Sequence, residues 1–291
     1  MIKQDYRQRF VFDGLDVRGC IVRLQETTSQ VQATHHYPPA LAVLLNEFTL
    51  AAVLLRDSIK TDGGLTIQLR TPGAIQLIIA DCMADGRVRA ISEYDNAAIS
   101  ANEQIKLKDL GAGSVLAITI SPEQGERYQS IVPIERETLS ACLEDYFDRS
   151  EQLSSRFKLL ANSAQGLGVA LHALPQEKIT DKEQAQQHFD RLNALLKTLS
   201  LEEGLTLASD SILTRLFHEE QCRLFNPNQV EFGCPCSKQK SLDSIAAIGK
   251  DEVLELIHER KQNDESKVVI DCHFCFQRYD FDFATIMALF D

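Results

Sequence analysis

Apolar positions crowd one stretch of the chain above all others. Between Pro38 and Lys60, Leu41, Leu44, Leu45, Phe48, Ala51, Ala52 and Leu55 recur three and four residues apart, which predicts a long buried helix. Gly63-Gly64 is expected to end it. The period then changes to two. Leu65–Leu69, Ala74–Ala80 and Val88–Tyr94 read as strands, separated by the turn signals Thr71-Pro72-Gly73 and Asp85-Gly86. Ser114–Ile120 alternates, with Val115, Ala117 and Thr119 opposite Leu116, Ile118 and Ile120, and another strand is expected near Tyr128–Ile134. Helical spacing returns over Glu137–Gln152 through Leu139, Cys142, Leu143, Tyr146 and Phe147. Phe157–Leu160 and Val169–Leu174 close the segment as strands. Strand runs joined by short turns, with helices set apart, predict an α+β fold. Residues 1–175 form a mixed α/β N-terminal domain with mostly antiparallel sheet.

Residues 176–230 read as a helical linker. Thr180-x-x-Glu183 has the form of a capping box. Behind it Phe189, Leu192, Leu195, Leu196 and Leu199 share one helical face, while the other is polar and rich in glutamine. Ser209 and Asp210 begin a second helix with Ile212, Leu213, Leu216 and Phe217 apolar. An amphipathic helix is not stable alone in water, so this face must rest on something, and the segment is a candidate moving part. Residues 231–291 make a small third unit. Leu242–Ile248 and Val253–Ile257 read as short helices, and Val268–Ile270 as a strand.

The chain has 291 residues, 44% of them hydrophobic, enough for about two ordinary domains. Its net charge is -12 and its pI about 5.1. Such a surface repels phosphate backbones and anionic lipid heads, so neither nucleic acid nor membrane is expected as a partner. The longest apolar stretch, Ala40–Leu55, is interrupted by Asn46, Glu47 and Thr49 and falls short of a membrane span. The N-terminus, Met1 to Arg7, has no apolar signal core. These features predict a cytoplasmic protein. Gly111-x-Gly113 precedes a strand rather than bridging strand and helix, which argues against nucleotide binding, and there is no P-loop.

Eight cysteines are too sparse for a disulfide scaffold. Cys20, Cys82, Cys142 and Cys222 are scattered and read as small buried hydrophobes. The other four come in close pairs, Cys234-Pro235-Cys236 and Cys272-His273-Phe274-Cys275, with 35 residues between the pairs. Four thiolates from two close pairs suit a tetrahedral zinc ion, and a site they saturate leaves no position for water or substrate, so it is structural. His273 and His258 are weaker ligand candidates. A structural zinc contributes on the order of 10–16 kcal/mol to small peptides, against about 3–5 kcal/mol from an unassisted core of such size. The metal therefore decides whether residues 231–291 fold.

One residue between Cys234 and Cys236 is shorter than usual zinc spacing. In an extended chain their α-carbons stand roughly 6.5–7 Å apart. A disulfide prefers about 5.5–6 Å, so a bond between these neighbours is strained and readily reduced. Cys272 and Cys275 have a familiar redox spacing. Two readings follow: an oxidant-driven switch that expels the metal and unfolds the unit, or a static zinc ribbon that staples the C-terminus.

At this point the residues resemble a family, the 33 kDa chaperonins, redox-regulated heat-shock holdases of the bacterial cytosol. Their C-x-C and C-x-x-C pattern is present. So are Val17-Arg18-Gly19, Gly125-Glu126-Arg127-Tyr128-Gln129, Cys142-Leu143-Glu144-Asp145-Tyr146-Phe147 with Arg149-Ser150-Glu151-Gln152, Phe217-His218-Glu219-Glu220, and Val230-Glu231-Phe232. The resemblance runs from about residue 10 to 285. It implies an α/β domain, a helical linker and a C-terminal zinc domain over 231–291. It implies that Cys234, Cys236, Cys272 and Cys275 bind one Zn2+ when reduced, and that oxidation pairs Cys234 with Cys236 and Cys272 with Cys275. It also implies ATP-independent binding of unfolding client proteins, dimerisation on oxidation, and stress response rather than catalysis. Release of the Phe189, Leu192, Leu195, Leu196, Leu199 face is the client-binding surface this suggests. The 35-residue gap is longer than the family usually shows, which an insertion around Ala246–Asp251 or Lys261–Lys267 would accommodate.

Two other classes are distinguishable. A thiol-disulfide oxidoreductase using Cys272 and Cys275 would turn over in an insulin-reduction assay, but its usual strand-then-helix context is missing. A nucleic-acid-binding zinc ribbon needs a basic patch, whereas residues 231–291 carry 12 Asp/Glu against 7 Lys/Arg. Gly125-Glu126-Arg127-Tyr128 reads as a turn with an ion pair and a half-buried tyrosine, and Cys142 as core.

Overall fold

The computed structural model describes residues 5–60, 62–96, 99, 104–151, 153–263 and 265–290. The readings placed on Met1–Gln4 and on Gln152 therefore lie outside the described residues. The chain divides at Gly233/Cys234 into two compact units.

The first unit opens with strands β1 (Tyr6–Phe12) and β2 (Val17–Leu24), then helices α1 (Glu26–Thr34) and α2 (Pro39–Ser58). Strands β3 (Gly63–Arg70), β4 (Ile75–Cys82), β5 (Arg87–Tyr94), β6 (Val115–Pro122) and β7 (Tyr128–Val132) follow, then helix α3 (Leu139–Tyr146) and strands β8 (Ser155–Ala161) and β9 (Gly166–Ala173). Helices α4 (Lys182–Lys197), α5 (Leu201–Thr206) and α6 (Ser209–Leu216) come next, with short strands β10 (Cys222–Leu224), β11 (Asn228–Gln229) and β12 (Glu231–Phe232). Two six-stranded sheets result. One has the order β10-β1-β2-β9-β8, with β11 also on β1; the other runs β12-β5-β4-β3-β6-β7. Every pairing is antiparallel except β12 with β5.

Helix α2 lies between the sheets and is the axis of the main core, where its Leu45, Phe48, Ala52 and Leu55 join Val22 and Leu24 from one sheet and Ile67, Ile78 and Leu116 from the other. Its approach to β9 is close. A Cβ on Gly166 would come within 2.8 Å of the Leu50 side chain and one on Gly168 within 2.9 Å of Leu54, so a larger residue at either position would force those leucines to shift. Although the apolar stretch Ala40–Leu55 reads as too short for a membrane span, helix α2 as a whole has the length and composition of one, but 78% of its apolar window is buried inside the fold.

The first sheet is covered on both faces, so β9 is buried along all but its last residue and is apolar except for His172. Its outer face forms a second core with the helical segment. Phe10, Phe12, Ile21, Val169 and Leu171 meet Phe189, Leu192, Leu196, Ile212, Leu213 and Phe217. Polar contacts hold the segment down. The Asp16 carboxylate accepts backbone N–H bonds from Glu177, Lys178 and Ile179 at 2.9–3.2 Å. Lys178 Nζ returns two bonds, to the carbonyls of Phe12 and Leu15. Arg23 donates to the carbonyls of Gly204, Leu205 and Leu207.

Three local expectations are corrected. The N-cap of α4 is Asp181, whose side chain accepts from the N–H groups of Glu183 and Gln184; a complete capping box occurs instead at Ser200 and Glu203, on α5. The helix expected over 137–152 ends at Tyr146 and passes into one π-helical turn, Phe147–Glu151. Tyr128 is 56% exposed, and Glu126 and Arg127 form no ion pair among the described residues.

The second unit contains helices α7 (Lys238–Ile248) and α8 (Lys250–Gln262), a hairpin of β13 (Lys267–Asp271) and β14 (Arg278–Asp282), and helix α9 (Phe283–Met287). Its core is small: Ile245, Val253, Ile257, Val268, Phe281 and Ile286 are the buried apolar side chains. The longer gap between the cysteine pairs is taken up by α7 and α8, which meet at Gly249, with φ 105°. Asp264 lies outside the described residues.

Candidate metal centre

Two separate pieces of backbone bring the four clustered thiols together. Cys234 and Cys236 sit in an extended segment that Ser237 ends by capping α7, its hydroxyl accepting the Lys240 N–H at 3.2 Å. Lys240 then reaches back, and its Nζ donates to the Pro235 carbonyl at 2.9 Å, tying the start of α7 to the residue between the two cysteines. Cys272 and Cys275 occupy the turn of the β13–β14 hairpin. The Phe276 N–H donates to the Cys272 carbonyl at 2.8 Å, and the Cys272 N–H to the Gln277 carbonyl at 3.0 Å. A two-point contact between Arg278 and Asp271 clamps the strand ends.

The sulfurs converge. Cys234 Sγ lies 3.6 Å from Cys272 Sγ, and Cys236 Sγ lies 3.4 Å from Cys275 Sγ. All four lie within 4.8 Å of one another, and all are half-buried free thiols. Zinc–sulfur bonds of about 2.3 Å in a tetrahedron place sulfurs roughly 3.8 Å apart, so the donor set fits such an ion without rearrangement. Neither His273 nor His258 belongs to the cluster; His258 shares a 2.9 Å hydrogen bond with Gln262 on α8.

The electrostatics favour a cation. Burial pushes the Cys272 thiol up, against the pull of the Cys275 and Phe274 N–H groups, and burial likewise pushes Cys275 far up. On their own Cys272 and Cys275 therefore stay protonated at neutral pH. A divalent ion reverses this and holds them as thiolates. One further side chain takes part: the Tyr279 hydroxyl donates to Cys236 Sγ at 3.2 Å, and that bond leads in pushing the phenol up to about 12. A hairpin turn does not supply the helix N-terminus that lowers a redox-exchange thiol, which weighs against turnover by Cys272 and Cys275.

The family model described as Hsp33 protein matches residues 5–282. The chain belongs to the Hsp33 family. Relatives of this Hsp33 chain carry the name 33 kDa chaperonin. That of Pseudomonas aeruginosa (strain UCBPP-PA14) is 39% identical over 290 residues, covering 100% of this chain and 96% of its own. That of Pseudomonas fluorescens (strain Pf0-1) is 40% identical over 286 residues, covering 98% and 93%. The crystal structure of the 33 kDa chaperonin (heat shock protein 33 homolog) from Thermotoga maritima has the same fold, with a TM-score of 0.80 at 20% identity over 98% of this chain and 97% of that one. Membership gives the chain a chaperone role, and its candidate metal ligands are the four cysteines singled out from their spacing.

The remaining candidates fall elsewhere in the chain. Phe189, Leu192, Leu196 and Leu199 are buried and Leu195 partly so, all against the outer face of the first sheet. Cys20, Cys82 and Cys142 are core residues, and Cys222 is half-buried. Tyr279 and Lys240 were not anticipated. The i+4 spacing from Cys275 to Tyr279 and the basic residue four after Cys236 are the only traces they leave in the sequence.

Proposed function

We propose that this Hsp33 chain is a redox-regulated, ATP-independent holdase of the cytoplasm, which captures unfolding proteins during oxidative stress and has no catalytic turnover. The observation that carries the reading is the convergence of four sulfurs from two distant pairs on one point. In the reduced state Cys234, Cys236, Cys272 and Cys275 hold one Zn2+, which supplies charge to stabilise four thiolates and fold to a unit with a very small core. A peroxide is the oxidant. In each pair two thiolates lose two electrons and form one sulfur–sulfur bond, while one hydrogen peroxide takes up those electrons and two protons and leaves as two waters. Sulfurs of different pairs approach to 3.6 and 3.4 Å within a cluster where all four are close, so geometry alone does not select partners. Once the ligand set is broken, short loops close at far lower entropic cost than loops of 38 or 39 residues. That favours Cys234–Cys236 and Cys272–Cys275.

Residues 1–175 act as the core domain, 176–230 as the linker and 231–291 as the switch. Unfolding of the switch spreads to the linker, whose face at Phe189, Leu192, Leu195, Leu196 and Leu199 separates from the sheet and takes clients, with dimerisation of the oxidised form. The net charge of -12 supports protein clients over nucleic acid or membranes. Mass spectrometry in non-denaturing buffer, paired with light scattering of a heat-denaturing client, tests this. Peroxide should remove one zinc, create two internal disulfides and switch on aggregation suppression without ATP. Equal suppression by the reduced zinc form would sink the switch.

A further inference from the structure

Helix α2 carries six polar side chains from Asn46 to Ser58, and five have partners inside the fold. Asn46 donates to the Asn162 carbonyl at 2.7 Å and Thr49 to the Leu45 carbonyl at 2.8 Å. Arg56 donates to the carbonyls of Gly63 and Ile59, Asp57 accepts from Arg9, and Ser58 donates to the Leu55 carbonyl. Glu47 alone has no hydrogen bond or ion pair among the described residues. It lines an open pocket of about 520 Å³ whose walls include Pro39, Val43, Leu44, Leu159, Ala161 and Leu201. Burial there pushes its carboxyl up to about 7, the mark of a charge that nothing nearby compensates.

A pocket of this size is in the usual range for ligand sites, about 300–1,000 Å³. Mostly apolar walls, with one carboxylate and the Gln104 amide, complement an apolar stem ending in a cation, and arginine is such a side chain. Its guanidinium is weakly hydrated and pairs with a carboxylate through two parallel N–H bonds, which suits a desolvated partner better than an ammonium does. The net charge of -12 adds attraction at longer range. We propose that this pocket holds an arginine side chain, flanked by aliphatic residues, from an extended segment of a client protein, with the guanidinium paired to Glu47. The assignment rests on the chaperone reading and gives it a sequence preference.

Two fluorescein-labelled peptides of serine, leucine and valine, one with a central arginine and one with uncharged citrulline there, separate the possibilities. Both are titrated by anisotropy into the peroxide-oxidised full-length chain, into oxidised Glu47→Gln, and into oxidised Val43→Trp, which narrows the pocket without removing the carboxylate. The arginine peptide should bind wild type about tenfold more tightly than its twin, as expected for a charge-assisted pair. Glu47→Gln should bring both peptides to the citrulline level, and Val43→Trp should weaken both. Equal affinity of the two peptides for wild type, a preference that survives in Glu47→Gln, or no binding of either overturns the assignment. Aggregation suppression by the oxidised wild-type chain is measured alongside. If it persists while the preference is absent, the pocket assignment alone fails; if it is absent too, the chaperone reading fails with it.

Discussion

Phe276 is the one non-glycine with positive φ among the described residues, at 55°, and its side chain is 51% exposed. It directly follows Cys275 and closes the turn that presents two of the four sulfurs. A residue with a Cβ pays about 1–2 kcal/mol for this conformation, and glycine adopts it freely. Phe276→Gly should therefore stabilise the 234–291 unit by about 1 kcal/mol and slow zinc transfer to a colorimetric chelator. Tyr279→Phe should act the other way: with the hydroxyl gone from Cys236, zinc affinity should drop about tenfold in the same competition, with the hairpin intact by circular dichroism. The four cysteines could be read in the sequence because ligand chemistry and spacing are both written there. Tyr279 could not, since its partner stands 43 residues away and nothing in a tyrosine's neighbourhood announces a sulfur. The strain at Phe276 depends on backbone angles that composition does not encode.

At the scale of elements, the helical segment is held by a small number of contacts that can be removed singly. Burial pushes the Asp16 carboxyl up, but the N–H groups of Ile179, Lys178 and Glu177 together pull it below the usual carboxylate range. Asp16→Asn removes the charge from that three-donor grip, at a cost of about 1–3 kcal/mol. Amides of α4 and α6 should then exchange hydrogen faster in the reduced protein while those of α2 stay protected, as followed by mass spectrometry. Equal protection in both variants would mean the grip has no part in holding the segment. Helix α2 and strands β3 to β6 were foreseen because each follows one period over most of its length. Strands β1 and β2 were not. Arg7, Arg9, Arg18 and Arg23 interrupt their alternation, and Arg9 and Arg23 are accommodated by Asp57 and by three carbonyls of the helical segment, far away in sequence. The capping box was misplaced for a simpler reason: Asp181, next to Thr180, already caps α4 with two bonds.

For the molecule as a whole, two buried groups oppose each other as pH changes. Burial pushes the His172 imidazole down to about 4, where Ser155 holds its Nδ1 at 2.8 Å, and pushes Glu47 up to about 7. His172 is neutral in the fold, so its contribution is complete above the ordinary histidine value and is lost as pH falls toward 4. Glu47 is protonated in the fold, so its contribution is complete below the ordinary glutamate value and is lost as pH rises toward 7. Each amounts to about 3 kcal/mol, and across mildly acid pH they largely cancel. Glu47→Gln should expose the histidine slope: urea midpoints should climb from pH 4.5 to 6.5 far more steeply than in wild type, and at pH 7.5 the variant should be the more stable protein.

The first sheet, with both faces covered, has one more implication. Its outer face already holds an amphipathic helix, so any unfolding chain that seeks this surface meets an occupant tethered at high local concentration. On the proposed switch reading, the helix and the sheet mask each other, and oxidation acts by weakening that intramolecular contact. A free synthetic copy of residues 182–199 should then bind the bared sheet face of the oxidised protein and find no vacancy on the reduced one.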